Sequence, residues 1–207
     1  MLRILGRATS INVRKVLWTC AEIGIEHVRE DWGRGYRSTR EAEFLRLNPN
    51  GLIPVLVDGD FVLWESNAIC RYLARSRGRD DLLPVDWRQG ALVEQWMDWQ
   101  AGTLGAAASY AFHALVRQSP DHRDEAQIAS SLARWQEAMA ILDAQLAATG
   151  AHAVGAAFTL ADIVLGLSVH RWYQTPFDKP EFGAVRDYYQ RLHARPGFVA
   201  NGPQGAP

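Results

Sequence analysis

Cysteine is scarce in this sequence. Its 207 residues include only two, Cys20 and Cys70, and these form neither a CxxC pair nor a spacing typical of metal ligands. Both fall on predicted helices, where a free cysteine usually behaves as a small buried hydrophobe. The sequence therefore offers no candidate protein thiol for redox or nucleophilic chemistry.

Long apolar segments are also missing. No uncharged apolar run reaches the roughly eighteen residues that span a bilayer, since the nearest one is interrupted by Asp162. The N-terminal residues 1–7 read MLRILGR, which has no apolar core long enough for a secretory signal. These two absences predict a cytosolic (cytoplasmic) protein.

Charge of either sign is not in excess. Lys and Arg number 22 against 23 Asp and Glu, for a formal net charge of -1. This balance gives no electrostatic footprint for nucleic acid or an anionic membrane. A small neutral or zwitterionic partner is therefore expected, with no nucleic acid and no membrane.

Several familiar site motifs are absent. The six histidines are scattered without HExxH, so no metal site is predicted. The sequence has no GxSxG, P-loop or GxGxxG. Hydrolase, nucleotide and dinucleotide chemistry thus find no support.

The first part of the chain alternates strands and helices. Strand patterns cover residues 2–5 and 26–31, and helical spacing covers 12–23 and 41–47. Residues 48–74, NPNGLIPVLVDGDFVLWESNAICRYLA, then encode a turn, an apolar strand, an Asp-Gly hairpin, a second strand and a helix start. This order, β-α-β-α-β-β-α, predicts an α/β domain over residues 1–77.

Strand signals almost vanish in the second part. Residues 78–87 read as a linker, and 88–200 as an all-helical domain. Predicted helices span residues 87–116, with a break near Gly102 and Gly105, then 124–148 and 181–194. Another begins at Thr159, where Thr159 and Asp162 resemble a capping box. Pro196 and Gly197 are expected to end the last helix, and residues 201–207 to form a flexible tail.

Two helix starts carry candidate chemistry. Ser10 lies before the first helix and Ser66 at the third, where free N–H groups and the dipole favour an anion. Glu65 beside Ser66 could pair with an amine, so the two together suit an α-amino acid headgroup. Each serine could equally be an ordinary N-cap.

The quoted stretch resembles the glutathione-binding core of the glutathione S-transferase family. NPNGLIPVL followed by WESNAI matches that core, and the Ser10-Ile11-Asn12-Val13-Arg14 loop is similar to the serine-type loop of theta-like bacterial members. The resemblance implies a thioredoxin-like first domain and a C-terminal helical bundle. It also implies a detoxification transferase that acts as a homodimer, with glutathione as co-substrate.

The resemblance assigns roles to particular residues. Ser10 would stabilise the glutathione thiolate, with Thr9 and Asn12 as alternative donors. Ile53 and Pro54 would pair with the backbone of the glutathione cysteine, and Glu65 and Ser66 would hold the γ-glutamyl group. The reaction would be attack of the thiolate on a small hydrophobic electrophile.

Other residues are weaker candidates for substrate binding. Arg37 or Arg40 could meet the glycyl carboxylate, although a solvated role is also compatible with an arginine-rich loop. The aromatic residues Tyr110, Phe112, His113 and Trp172 could line a pocket for an apolar electrophile or could be core.

Two further functions stay open at this level. One is a glutathione-dependent isomerase. The isomerases with a similar serine loop carry a neighbouring cysteine, and this chain has no cysteine beside Ser10. The other is a non-catalytic binding protein with the same fold, since fold alone does not determine function.

Overall fold

The computed structural model describes residues 1–202, which form two compact units. The first contains residues 1–83 and 196–202, and the second contains residues 84–195. The elements of the first unit are β1 (Leu2–Leu5), α1 (Ile11–Ile23), β2 (His27–Glu30), α2 (Ala42–Leu47), β3 (Val55–Asp58), β4 (Phe61–Trp64) and α3 (Ser66–Ser76). The second unit contains α4 (Trp87–Trp99), α5 (Gly105–Leu115), α6 (Glu125–Thr149), α7 (Leu160–Gln174) and α8 (Gly183–Leu192); α9 (Pro196–Asn201) belongs to the first unit.

The four strands form one mixed sheet in the order β2-β1-β3-β4. The pair β1 and β2 is parallel, whereas β3 runs antiparallel to both β1 and β4. Hydrogen-bonded register aligns Leu5 with Val55 and Val55 with Trp64. With α1 and α3, this sheet gives the predicted thioredoxin-like domain, so the expected fold class is confirmed.

The two central strands, β1 and β3, have buried residues on both faces of the sheet. Leu5, Val55 and Val57 pack with Trp32 and Phe44 in one hydrophobic cluster. Because side chains alternate along a strand, Ile4 and Leu56 point to the opposite face, where they are also fully buried. Such double burial explains why β3 reads as a continuous apolar run rather than as alternating residues.

The helical unit is built around α7, whose residues 160–170 are all buried. Its start is the predicted capping box: Asp162 accepts hydrogen bonds from the Thr159 N–H at 2.8 Å and the Ala153 N–H at 3.0 Å. Asp162 is fully buried, so both bonds are sheltered from water. The long helix predicted over residues 87–116 is interrupted by a π-helical turn from Gln100 to Leu104, near the two glycines expected to break it.

One boundary prediction was wrong. Pro196 and Gly197 do not simply end the preceding helix but begin α9, since proline suits the first turn of a helix, where its missing N–H is not needed. This helix, predicted to be part of the helical domain, lies in the first unit. The expected tail begins within it at Asn201, and residues 203–207 lie outside the described residues.

None of the helices in residues 1–202 combines the length and apolar character needed to span a membrane.

We predict that Asp162→Ala destabilises the protein strongly. The change leaves two buried N–H groups without acceptors, each worth about 1–3 kcal/mol, so the free energy of unfolding should fall by about 2–6 kcal/mol. Denaturant unfolding measures this change. Asp124→Ala is the matched control, because Asp124 caps α6 in the same unit but is solvent-exposed. Equal losses in the two variants would contradict the structural role of Asp162.

Candidate functional site

Three chain segments meet at one edge of the sheet. The register that aligns Leu5, Val55 and Trp64 makes the next residues, Gly6, Pro54 and Glu65, neighbours across the strands. Because β3 runs opposite to β1 and β4, its start lies beside the ends of the other two. Residues 6–10, 53–54 and 65–66, far apart in sequence, are thereby brought to a common edge.

Gly6 allows the loop after β1 to lie directly against Ile53. A Cβ atom at Gly6 would lie 2.5 Å from Val13 Cγ2 and 3.1 Å from Ile53 Cβ. The backbone of Gly6 has a φ of 150°, a conformation that L side chains rarely adopt. Glycine is thus needed here for both conformation and space.

Ser10 is the N-cap residue of α1. Its backbone is extended, its N–H donates to Arg7 O at 3.1 Å, and its C=O accepts from Arg14 N at 2.9 Å. Its half-buried side chain makes no capping hydrogen bond, and within residues 1–202 the hydroxyl has no other partner. The Ser10 hydroxyl is therefore available to donate to an atom held at the helix N-terminus.

Thr9 and Asn12 are placed less favourably than Ser10. The Thr9 hydroxyl is solvent-exposed and accepts a hydrogen bond from Arg7 Nε at 3.1 Å. Asn12 is exposed on the first turn of α1. Water competes for both side chains, whereas Ser10 is partly shielded.

Glu65 and Ser66 form the N-terminus of α3. Glu65 is the N-cap residue and has a φ of 72°, a conformation that costs a non-glycine residue about 1–3 kcal/mol. Ser66, the first helical residue, is only 7% exposed. Among the described residues neither the Glu65 carboxylate nor the Ser66 hydroxyl has a hydrogen-bond partner. The helix start thus carries an exposed, unpaired carboxylate at Glu65, and Ser66 adds a hydroxyl beside the free N–H groups.

Ile53 and Pro54 lie between these two helix starts. Their peptide bond is cis. Among residues 1–202, the N–H and C=O groups of Ile53 have no hydrogen-bond partner. An extended peptide lying along this edge would find a donor and an acceptor at Ile53.

A buried contact that the sequence did not predict links the two helix starts. Lys15 Nζ donates to Asn67 Oδ1 at 3.3 Å, and both side chains are buried. The contact joins the second turn of α1 to the first turn of α3. Neither residue has a sequence signal for this role, because the pairing depends on how the two helices pack.

Arginines surround Ile53 on the side of residues 33–51. A Cβ atom on Gly33 would lie 3.3 Å from both Arg7 Nη1 and Ile53 Cδ1, so these two side chains approach the same point. Burial, and then repulsion from Arg34, lower the pKa of Arg7 below its ordinary value. Arg40 Nη1 lies 3.0 Å from the corresponding Cβ position on Gly51, two residues before Ile53. Arg7 and Arg40 thus place positive charge on this side of Ile53, which suits an anionic group.

Arg37, a predicted ligand for the glycyl carboxylate, already has acidic partners. Its Nη2 lies 2.9 Å from Glu41 Oε2 and 2.6 Å from Glu43 Oε2, and its guanidinium stacks over the Trp32 ring at 3.8 Å. Arg40 makes no ion pair in the described part of the chain. Of the two arginines proposed from the sequence, Arg40 is the better placed.

The aromatic residues proposed from the sequence do not form one group. His113 stacks on His122 with ring centroids 4.8 Å apart, and Tyr110 lies 4.8 Å from the same His122. Trp172, in contrast, is 1% exposed and packs edge-on against Trp135 and Phe177. Of the two roles that the sequence left open for Trp172, its burial supports core packing in the helical unit rather than a pocket with Tyr110 and His113.

Both cysteines are buried and free. Burial, with the electrostatic influence of Cys70, raises the pKa of Cys20 to about 12, and burial raises the pKa of Cys70 to about 11. Since the thiolate is the reactive species, neither side chain is a nucleophile at neutral pH. In residues 1–202 no group of three or more His, Cys, Asp or Glu side chains could hold a metal ion.

Comparison with known proteins identifies both parts of the chain. Residues 9–76 match the family model for the N-terminal domain of glutathione S-transferase, and residues 106–196 match the model for its C-terminal domain. The chain is 36% identical to glutathione S-transferase GstB of Escherichia coli K12. The aligned region of 198 residues covers 95% of each protein.

Solved structures agree with the sequence comparison. The theta class glutathione S-transferase from Xanthomonas axonopodis pv. citri with glutathione bound superimposes with a TM-score of 0.92 and 35% identity, covering 100% of this chain and 99% of that one. A delta-class glutathione transferase from Nilaparvata lugens has a TM-score of 0.87 and 26% identity over 100% of this chain and 95% of its own. The chain belongs to the glutathione S-transferase family, as its sequence motifs predicted.

Proposed function

We propose that this transferase binds glutathione along the sheet edge formed by Ser10, Ile53, Glu65 and Ser66, and uses Ser10 to stabilise the thiolate. The observation that carries the proposal is the free, half-buried Ser10 hydroxyl at the start of α1, on the same edge as the unpaired groups of α3. The similar Xanthomonas enzyme, whose structure contains glutathione, supports glutathione as the co-substrate.

The γ-glutamyl end of glutathione fits the start of α3. That end carries an ammonium and a carboxylate, which match the Glu65 carboxylate and the free N–H groups beside Ser66. The strain at Glu65 is consistent with this role, because strained backbone conformations cluster at sites that hold ligands. The cysteinyl residue would then pair with the N–H and C=O groups of Ile53.

The energy needed to form the thiolate is within the reach of Ser10. A free thiol has a pKa of about 8.5, and lowering it by two units requires about 2.7 kcal/mol. One hydrogen bond to an anion contributes about 1.5–3 kcal/mol, and the dipole of α1 about 0.3–1 kcal/mol. A hydroxyl that donates to sulfur is therefore sufficient and keeps its own proton.

Arg40 completes the proposed site at the glycyl end. Its guanidinium lies beside Gly51, and Arg7 and Arg34 make the same region positive. A glycyl carboxylate that extends past Ile53 would meet this charge.

The electrophile would be small and apolar, with Tyr110 and His113 as candidate contacts. The protein is expected to be a homodimer, and a measurement of its mass in solution checks this prediction.

Calorimetric titration with glutathione tests the binding site directly. We expect Glu65→Gln and Ser66→Ala each to weaken affinity about tenfold, since the first removes the negative charge that faces the ammonium and the second removes a hydroxyl donor to the carboxylate. Glu26→Gln is the control, because Glu26 is an exposed glutamate at the opposite end of the sheet. Failure of the wild-type protein to bind glutathione below millimolar concentration would refute the proposed function.

The role of Ser10 is tested by turnover. Ser10→Ala should lower kcat roughly 10- to 100-fold with a generic electrophile, because a donor to the developing anion is lost, while glutathione affinity stays within about threefold. Thr9→Ala and Asn12→Ala, measured in parallel, should keep near wild-type kcat. If turnover is unchanged in Ser10→Ala but falls in one of the others, the donor is that neighbour.

The role of Arg40 is tested with an esterified ligand. Arg40→Gln should weaken glutathione binding about fivefold to tenfold, as expected for a hydrogen bond between two charged groups. The same substitution should change the affinity for the glycyl monoethyl ester of glutathione, which lacks that carboxylate charge, by less than about twofold. Arg37→Gln is the matched control. A similar loss for both ligands, or a larger loss in Arg37→Gln, would contradict this assignment.

A further inference from the structure

Arg14 joins two distant segments of the first unit. Its side chain is only 3% exposed on α1. The Nε atom donates to Ala8 O at 2.9 Å, and Nη1 donates to Gly202 O at 2.9 Å. Burying a guanidinium is costly unless its donors are satisfied, so both carbonyls are held in fixed positions relative to α1.

The anchor at the C-terminal side is α9, which packs directly on α1. Phe198 and Trp18 are fully buried with their rings 5.1 Å apart. A Cβ atom at Gly197 would lie 2.6 Å from Trp18 Cδ1, so the backbone of α9 contacts the indole without space for a side chain. Gly202 N donates to Phe198 O at 2.6 Å, which ties the carbonyl that Arg14 binds to this packed helix.

The other carbonyl belongs to the loop that carries Ser10. Ala8 O is two residues before Ser10, and the Ser10 N–H is bonded to Arg7 O at the other side of Ala8. The direction of the Ala8 carbonyl therefore determines how the peptides on either side of it lie. Misplacement of a reacting group by about 1 Å can cost about a hundredfold in rate.

We propose that Arg14 is a positioning residue that holds the Ser10 loop against α1, with α9 as its second anchor. The inference rests on the proposed role of Ser10 as thiolate donor. The planar fork of arginine binds the two carbonyls in one rigid geometry, which a lysine ammonium cannot reproduce. The C-terminal helix then contributes to glutathione activation, although it supplies no group that touches the ligand.

The test uses Arg14→Met and Arg14→Lys in the full chain. Measurements are kcat, glutathione affinity, and the pKa of the bound glutathione thiol from its thiolate absorbance. Arg14→Met should raise that thiol pKa by about one unit and lower kcat about tenfold, with affinity within about threefold. Arg14→Lys, which keeps the charge but donates from a single nitrogen, should fall between Arg14→Met and wild type.

A double-mutant cycle separates positioning from general damage. If Arg14 acts through Ser10, adding Arg14→Met to Ser10→Ala should change kcat by less than about twofold. Multiplicative effects, or a folded Arg14→Met protein with wild-type kcat and thiol pKa, would overturn the inference. A Ser10→Ala variant with unchanged turnover would instead remove the proposed role of Ser10, so the two failures are distinguishable.

Gly197→Ala gives an independent test that leaves Arg14 intact and also decides the case if Arg14→Met fails to fold. The added Cβ must push α9 from Trp18, so the thiol pKa should rise and kcat should fall by a few fold. Gly183→Ala is the matched control, since a Cβ at this helical glycine meets no atom within 4 Å. The same thiol pKa and the same kcat in Gly197→Ala and Gly183→Ala would count against α9 as an anchor.

Discussion

The antiparallel pairing of β3 with both β1 and β4 is the constraint on which the candidate site depends. Alignment of Leu5, Val55 and Trp64 brings the loop after β1, the start of β3 and the end of β4 to one sheet edge. A shift of one residue in this register would turn every side chain to the other face. Because Leu5, Val55 and Val57 must all reach the core around Trp32, burial of the strand side chains fixes the site at the same time.

Two helix starts give that edge its electrostatic character. The N-termini of α1 and α3 both present free N–H groups, and the buried contact of Lys15 with Asn67 links them. The unpaired Glu65 carboxylate adds negative charge at one end, and arginines add positive charge at the other. A ligand with an ammonium, two carboxylates and a thiol matches this distribution, while the inert cysteines leave the nucleophile to be supplied by the ligand.

The structure also distinguishes residues of similar type. Arg37 is held by two glutamates, whereas Arg40 has no such partner among the described residues. Trp172 lies in the core, whereas the rings of Tyr110 and His113 both contact the ring of His122. Ser10 differs from Thr9 in being partly shielded from water with an unused hydroxyl. In each case the difference comes from neighbours distant in the sequence, which composition and spacing cannot show.

The sequence by itself determined the order of strands and helices in residues 1–77, the hairpin at Asp58-Gly59 and the capping box at Thr159, because turn chemistry and apolar periodicity act over a few residues. Its motifs also determined the family. Only the tertiary structure decided which arginine is free, that Trp172 is core, and that α9 returns to the first unit to meet Trp18 and Arg14. These outcomes depend on packing between segments as many as 188 positions apart, for which local sequence carries no signal.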